Sequence, residues 1–364
     1  MSAPIDFAGL FKTPAPWLRG TGPHSEMVLS TRIRLARNLA DVPFTQRARN
    51  EDLMGVLSRV GAAVHSSSVL GGGLLLRMQE CSAIERQVLV ERHLVSHELS
   101  DGTRPRGIYV APDDRVSLMI NEEDHLRLQT LVPGFQLAEA WGLADVADDE
   151  LDARLEYAFS EDFGYLTACP TNAGTGLRAS VLIHLPALVL LGEIKRVLEA
   201  VQQMGLSVRG LYGEHSEIMG NLFQISNQTT LGRSERESID SLDRVTRQII
   251  ETEERSRERM WRDARAQLED KVWRAYGTLR YCRTIQAKEV INYCSALRLG
   301  VALGVEGLCP LRVVNELLVI TQPAHLQHAA DREMEASDRN LYRAQVVRER
   351  LAAAERESGE SRTS

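Results

Sequence analysis

Lysine is almost missing from this chain: Lys12, Lys195, Lys271 and Lys288 stand against 39 arginines in 364 residues. None of the four follows a glycine, which excludes a phosphate-binding loop ending in Gly-Lys. Asp162-Phe163-Gly164 spells the metal-binding tripeptide of the lysine-dependent protein kinases. Only Lys12 precedes it and no His-Arg-Asp occurs, so that chemistry is excluded as well. If the chain holds nucleotide phosphates, arginine must hold them. Codon usage in a GC-rich genome is the simplest source of the ratio. Cysteine is also sparse: Cys81, Cys169, Cys282, Cys294 and Cys309 form no close pair, which argues against a disulfide framework. No apolar run approaches the roughly 20 residues of a membrane-spanning helix, and Met1 to Leu29 lacks the basic-then-apolar order of a secretory leader. The expectation is a cytoplasmic protein with no membrane partner. A formal net charge of −7 argues against a general nucleic-acid-binding surface.

What is present reads as two kinds of sequence. Val28 to Leu35 alternates as a strand, with Arg32 and Arg34 on one face and Ile33 and Leu35 on the other. Asp52–Val64 and Ser82–Leu94 have helical spacing. Gly107–Ala111 and Arg115–Ile120 read as strands joined by a Pro-Asp-Asp turn. Asn121 to Leu131 reads as a loop opening into a helix. Arg178–Leu185, Leu206–Leu211 and Leu222–Asn227 read as further strands, and Leu188–Met204 as one helix. Beyond Gly232 the texture changes: charge is dense, Gly and Pro almost vanish, and Ile239, Leu242, Val245 and Ile249 recur at helical spacing. Further helices are expected at Lys288–Leu297, Val313–Val319 and Asp331–Ala354. The expected class is α+β, an antiparallel sheet flanked by helices and followed by an all-helical C-terminal domain. The expected divisions are a lead-in at 1–24, a catalytic domain at 25–235, a helical domain at 236–354 and a flexible polar tail at 355–364.

Four segments concentrate functional groups at strand ends and loops. Ser30-Thr31-Arg32-Ile33-Arg34 offers two guanidinium groups on one face, and Asn121 to Arg127 packs three carboxylates, a His and an Arg into seven residues. Cys169 to Ser180 is a glycine-punctuated loop entering a strand, and Arg209 to Glu217 is a second loop bearing Arg, Glu and His215. Each has an ordinary structural explanation. Glu123 and Arg127 stand i, i+4, the spacing of a helix-surface pair. A cysteine alone is more often a small buried hydrophobe than a nucleophile.

Taken together, S-T-R-I-R-L-A-R, N-E-E-D-H-L-R, C-P-T-N-A-G-T-G-L-R-A-S, R-G-L-Y-G-E-H-S-E and F-Q-I-S-N-Q-T-T-L-G occur here in the order of one family. The sequence resembles the ATP:guanido phosphotransferases (phosphagen kinases), and within them the bacterial protein-arginine kinases. Several long motifs in family order are far more specific than one short pattern. The resemblance implies the guanido kinase, glutamine synthetase-like catalytic fold. It implies ATP bound by Arg32, Arg34, Arg127, Arg178 and Arg209, with His93 against the base and Ser30 and Ser180 beside it. It assigns Glu123 and Glu214 to the acceptor guanidinium, with Cys169 alongside as a further catalytic residue. Magnesium is implied on the phosphates, with no side chain ligating it directly.

Only 29 residues precede Ser30, where small-molecule phosphagen kinases place a helical domain. A helical domain instead follows, as in the protein-arginine kinases. The expected activity is phosphorylation of arginine side chains in proteins, marking them for stress response or proteolysis. The alternatives are a kinase of a small guanidino compound and a non-catalytic phosphoarginine-binding adaptor. Implied partners are protein substrates, an activator protein, a Clp-type protease system and a second copy of the chain. Two departures stand out. Arg339, Asn340 and Arg343 occupy the place of a phosphoarginine-sensing R-D-x-x-R-A motif, with Asn340 where the family has a carboxylate. Glu214-His215 matches the small-molecule branch at that point.

Overall fold

Alternation along Val28–Arg37 makes the central strand, β1, because one face of it is buried among apolar side chains and the other carries arginine. The computed structural model describes residues 9–10, 14–210 and 219–360. β1 pairs antiparallel with β5 (Leu126–Pro133) on one side and β8 (Leu177–His184) on the other. Outward from β5 lie β4 (Val116–Ile120), β3 (Gly107–Val110) and β2 (Leu74–Arg77). Outward from β8 lie β10 (Leu222–Asn227) and β9 (Leu206–Gly210), giving an eight-stranded sheet. β6 (Phe159–Ser160) and β7 (Gly164–Tyr165) form a separate small hairpin.

One sheet face packs on α1 (Asn50–His65), α3 (Leu137–Leu155), α5 (Ile194–Gln203) and the start of α6 (Glu235–Tyr281). Ile239, Leu242, Val245 and Ile249 of α6 all reach this core, as their spacing predicts. The opposite face is divided. Toward one end of the strands, Leu29, Leu131, Leu182 and Leu222 bury against α7 (Ala287–Ala302), α8 (Leu311–Ile320) and α10 (Ala336–Glu360). Toward the other end that face carries polar and charged side chains. α2 (Ala83–Glu91) and α9 (Pro323–Ala329) pack against one another across the remaining side.

The α+β class and the helical C-terminal region match the expectation, and three local readings change. Residues 126–133 form a strand instead of a helix, because β1 and β4 pair it from both sides. The helix expected over 188–204 is two, α4 (Pro186–Leu190) and α5, separated at Gly192 with φ of 72°. The last helix starts at Ala336 and runs to Glu360, where Glu355 accepts from Tyr276 and from Arg280. α6 spans 47 residues with non-helical backbone at Ala264. Among the described residues no helix is long and apolar enough to cross a membrane.

Candidate active site

The register of the central strands sets one row of guanidinium groups. Arg34 on β1 faces Arg178 on β8, Arg32 faces Ser180, and Arg127 on β5 sits opposite Ala36. Arg209 on β9 lies opposite Gln224 on β10. Arg32, Arg34, Arg127, Arg178 and Arg209 all line one cleft of about 770 Å³. Along each of the three central strands the same face grades from arginine to apolar: Arg34–Arg32–Ser30, Arg127–Gln129–Leu131 and Arg178–Ser180–Leu182. The apolar end is a narrow slot between Ser30, Ser180, Leu131, Leu182, Trp17 and His93.

The charge in the row is concentrated. Burial and the neighbouring Arg127 and Arg178 bring the Arg32 guanidinium down to about 10. Burial, then Arg32, Arg127 and Arg178, hold Arg34 well below its ordinary value. Its Nε is buried with no hydrogen-bond partner among the described residues. Arg127 differs: burial opposes its charge, but Glu122, at 2.6 Å, outweighs it and raises its pKa. Glu122 is held below the carboxylate range despite its burial, by Arg127, Ser96 and Arg34. The Arg32 Nε donates to Ser180 Oγ at 3.5 Å, and Arg178 Nη2 to Ser226 Oγ at 3.5 Å. Both arginines line the cleft.

His93 follows α2 with φ of 61°, and its carbonyl accepts from Gln129 Nε2 at 2.8 Å. Its ring meets Trp17 edge-on, 5.3 Å between centroids. Burial, with Arg32 and His97 adding repulsion, lowers its pKa to about 3, so the ring is neutral at physiological pH.

Glu123 and Cys169 line the same cleft. Thr45 Oγ1 donates to the Glu123 carbonyl and Asn172 Nδ2 to its carboxylate at 3.2 Å. The carboxyl is pushed above its ordinary range by partial burial and by Asp124 and Glu122, against Arg127 and the Asn172 bond. Cys169 Sγ lies 2.9 Å from Thr171 Oγ1. Asp124 and His125 are buried and structural. Asp124 Oδ1 accepts from Asn38 Nδ2 at 2.6 Å and from the Ala168 amide at 2.7 Å. His125 Nδ1 accepts from the Leu39 amide at 3.2 Å. The loop of Glu123 and the loop of Cys169 are thereby tied to the same end of β1.

The ordinary alternative for Glu123 and Arg127, a helix-surface pair, does not form: Arg127 pairs with Glu122, since the segment is a strand and its turn. Glu214 lies outside the described residues, as does His215. Arg339, Asn340 and Arg343 do not line the cleft. Arg343 is buried and donates to the carbonyls of Thr321 at 2.8 Å and Ile285 at 3.0 Å, and to the Asn340 side chain. Arg339 donates to the Met334 carbonyl at 2.6 Å. Sequence reasoning missed Trp17, Gln224 and Asn172. Asn172 and Gln224 lie inside motifs that were singled out, and Trp17 does not. Trp17 reaches the slot through a short 3₁₀ turn (Pro16–Leu18) with no periodic signal.

Residues 56–256 match the family model "ATP:guanido phosphotransferase, C-terminal catalytic domain". Residues 265–362 match "Protein-arginine kinase McsB C-terminal domain". A protein-arginine kinase of Symbiobacterium thermophilum is 48% identical over 93% of this chain and 96% of its own length. One from Bacillus subtilis is 44% identical over 92% of this chain and 93% of its own. A solved lombricine kinase is similar in fold, with a TM-score of 0.58 and 26% identity. That likeness covers 66% of this chain and 71% of the other.

Proposed function

Because the chain belongs to the ATP:guanido phosphotransferase family, we propose that it transfers the γ-phosphoryl group of Mg-ATP to the guanidinium of arginine side chains in proteins. The row of Arg32, Arg34, Arg127 and Arg178 on one sheet face, ending in a slot lined by Trp17, His93, Leu131 and Leu182, carries this reading. Burial and mutual repulsion along that row are relieved by a polyanion. Ordered from slot to loop, the base lies by His93 and Trp17, the phosphates over the arginines, and the acceptor between Glu123 and Cys169. Magnesium enters as part of the substrate, on the phosphate oxygens; the buried Glu122 is already engaged by Arg127.

A free guanidinium has a pKa near 13.8, so presenting a neutral nitrogen at pH 7 costs about 9 kcal/mol. Glu123 offsets part of this. Its carboxylate grips the planar fork and takes the proton as the N–P bond forms and the bond from the γ-phosphorus to the ADP oxygen breaks. Its raised pKa makes it the stronger base. The arginines neutralise the transferring phosphoryl group, an effect worth roughly 10³–10⁵ in rate for one such residue. No phosphoenzyme is needed; the work is positioning and electrostatics.

Relatives named protein-arginine kinase, similar along almost their whole length, support a protein acceptor over a small guanidine. The family likeness also supports an activator protein, a Clp-type protease and a second copy of the chain as partners, in the cytoplasm, in stress response. Incubation with γ-labelled ATP, an unfolded protein and, separately, free arginine tests the reading. Acid-labile phosphate on protein arginine, abolished by Glu123→Gln, is expected. Phosphate on free arginine alone overturns it.

A further inference from the structure

The Asp162-Phe163-Gly164 tripeptide, barren as a metal site, forms the tip of the β6–β7 hairpin. Phe159 and Phe163 on this hairpin are 59% and 58% exposed, and no other phenylalanine appears among the exposed large hydrophobic residues described. Glu161 and Asp162, between them, are exposed too. The hairpin is firmly mounted. The Tyr165 amide donates to the Gly174 carbonyl at 2.8 Å, Ala158 N to Asn38 O at 2.8 Å, and the Arg37 guanidinium covers the Tyr165 ring at 3.5 Å. Phe159 meets the Tyr165 ring edge-on at 5.3 Å between centroids, and otherwise both phenylalanines face solvent on a four-residue ladder. Such exposure marks a contact surface.

Its position says what it meets. Gly164 touches Gly174 so closely that a Cβ on it would lie 2.6 Å from the Gly174 carbonyl. A Cβ on Gly174 would in turn meet Leu231 at 2.9 Å. Leu231, whose Cα that Cβ would meet, is itself 54% exposed. Gly174 belongs to the Cys169–Gly176 loop, whose Asn172 holds Glu123. The hairpin therefore backs onto the loop that holds Glu123 at the cleft, and Glu161 and Asp162 make its tip negative.

We propose that Phe159, Phe163 and Leu231, with Glu161 and Asp162, form the docking surface for the polypeptide on either side of the acceptor arginine. The occupant is an unfolded segment carrying apolar and basic residues. An apolar flank packs on the phenylalanines and a basic flank pairs with the carboxylates. The inference rests on the protein-arginine reading above and deepens it: it selects unfolded over compact substrates, since only an open chain brings its apolar side chains to a rim.

The test is fluorescence anisotropy of the full chain with a labelled, unfolded peptide bearing one arginine flanked by leucine, phenylalanine and lysine. Transfer from labelled ATP to the same peptide is followed in parallel. Phe159→Ser/Phe163→Ser should weaken peptide binding roughly tenfold and leave the affinity for ATP unchanged. Glu161→Lys/Asp162→Lys, at exposed positions that leave the fold intact, should weaken it in a salt-dependent way. Unchanged peptide affinity in both variants overturns the docking surface. Hairpin-dependent binding with no transfer to the peptide by the wild type upholds the surface and overturns the kinase reading instead.

Discussion

Arg34 has more to lose than to gain from its own charge until a phosphate arrives. It is held among Arg32, Arg127 and Arg178 with a buried Nε that nothing satisfies among the described residues. Replacing it by an uncharged side chain of similar length removes that repulsion and the desolvation behind it. Arg34→Met should raise the thermal midpoint of the ligand-free protein while lowering kcat/KM by roughly 10³-fold. Melting curves with and without ATP check this: the variant should also lose most of the ATP-dependent gain. Glu123 gives the pH dependence. A general base works deprotonated, so activity is present above its raised pKa and is lost as pH falls through it. The Asn172 hydrogen bond is one of the influences that lower that pKa. In Asn172→Ala the acid limb of kcat/KM should move to higher pH, and an unmoved limb would remove Glu123 from the role of base. His93 acts on stability instead. Its folded pKa of about 3 lies below the ordinary imidazole value, so the unfolded chain binds the extra proton first. The contribution is present above about pH 6.5 and is lost as pH falls toward 3. Asparagine also tolerates the positive φ, so His93→Asn should flatten the thermal midpoint against pH over that range.

Elements place these residues, and glycine decides where the loops between them run. Gly174 has φ of 100°, and a Cβ there would sit 2.4 Å from the Thr230 carbonyl. Gly174→Ala should cost about 1–3 kcal/mol of stability and lower kcat further than the loss of folded protein explains. The displaced loop carries both Cys169 and Asn172. Chemical denaturation together with activity per folded molecule separates the two effects. The same scale shows what could be read from the sequence and what could not. β1 announced itself by the alternation of Arg32, Ile33, Arg34 and Leu35, and with it the shared face of Arg32 and Arg34. β5 did not. Leu126 to Leu131 alternates as well, but the i, i+4 spacing of Glu123 and Arg127 pointed to a helix, and short segments cannot arbitrate between periods. The strand is decided by ladders to β1 and β4, which are distant in sequence. α3 went unread for another reason. The middle of its buried stripe is Ala140, Ala144, Ala147 and Asp148, which gives little hydrophobic contrast between the leucines at its two ends. Of the slot, His93, Ser30 and Ser180 were legible only through the family resemblance; Trp17 was not, because β1, α1, β2 and α2 separate it from His93 and the two rings meet only after folding.

Over the whole molecule, the sheet and the C-terminal helices are one structure. Leu29, Leu131, Leu182 and Leu222 from the strands share a core with Val290, Leu297, Val314 and Leu317 from the helices. Buried polar groups cross the same boundary: Asn315 Nδ2 donates to the Leu18 carbonyl at 3.1 Å, and Arg298 to that of Ser25 at 3.1 Å. The contact with the greatest reach into the cleft is Glu91, the last residue of α2. Its carboxylate accepts from the amides of Ala324 at 2.8 Å and His325 at 2.9 Å, the opening turn of α9. It also meets His325 Nδ1 at 2.6 Å. The next residue, Arg92, is pinned to Asp114 at 2.7 Å, and the one after is His93 in the slot. On its far side α9 follows Thr321, whose carbonyl is held by Arg343 of α10. Two hydrogen-bonded steps therefore join α10 to the nucleotide slot. Glu91→Ala strips three donors of their acceptor, a loss of about 1–3 kcal/mol for each that stays buried, so the thermal midpoint should fall. If the clasp also sets the position of His93, KM for ATP should rise severalfold while kcat at saturating ATP holds. His325→Ala should show the same direction of change, and the double variant less than the sum of the two, because both remove one contact. A fall in stability with an unchanged KM for ATP would make Glu91 a structural tie alone. A raised KM would place the nucleotide slot under the control of the helical region.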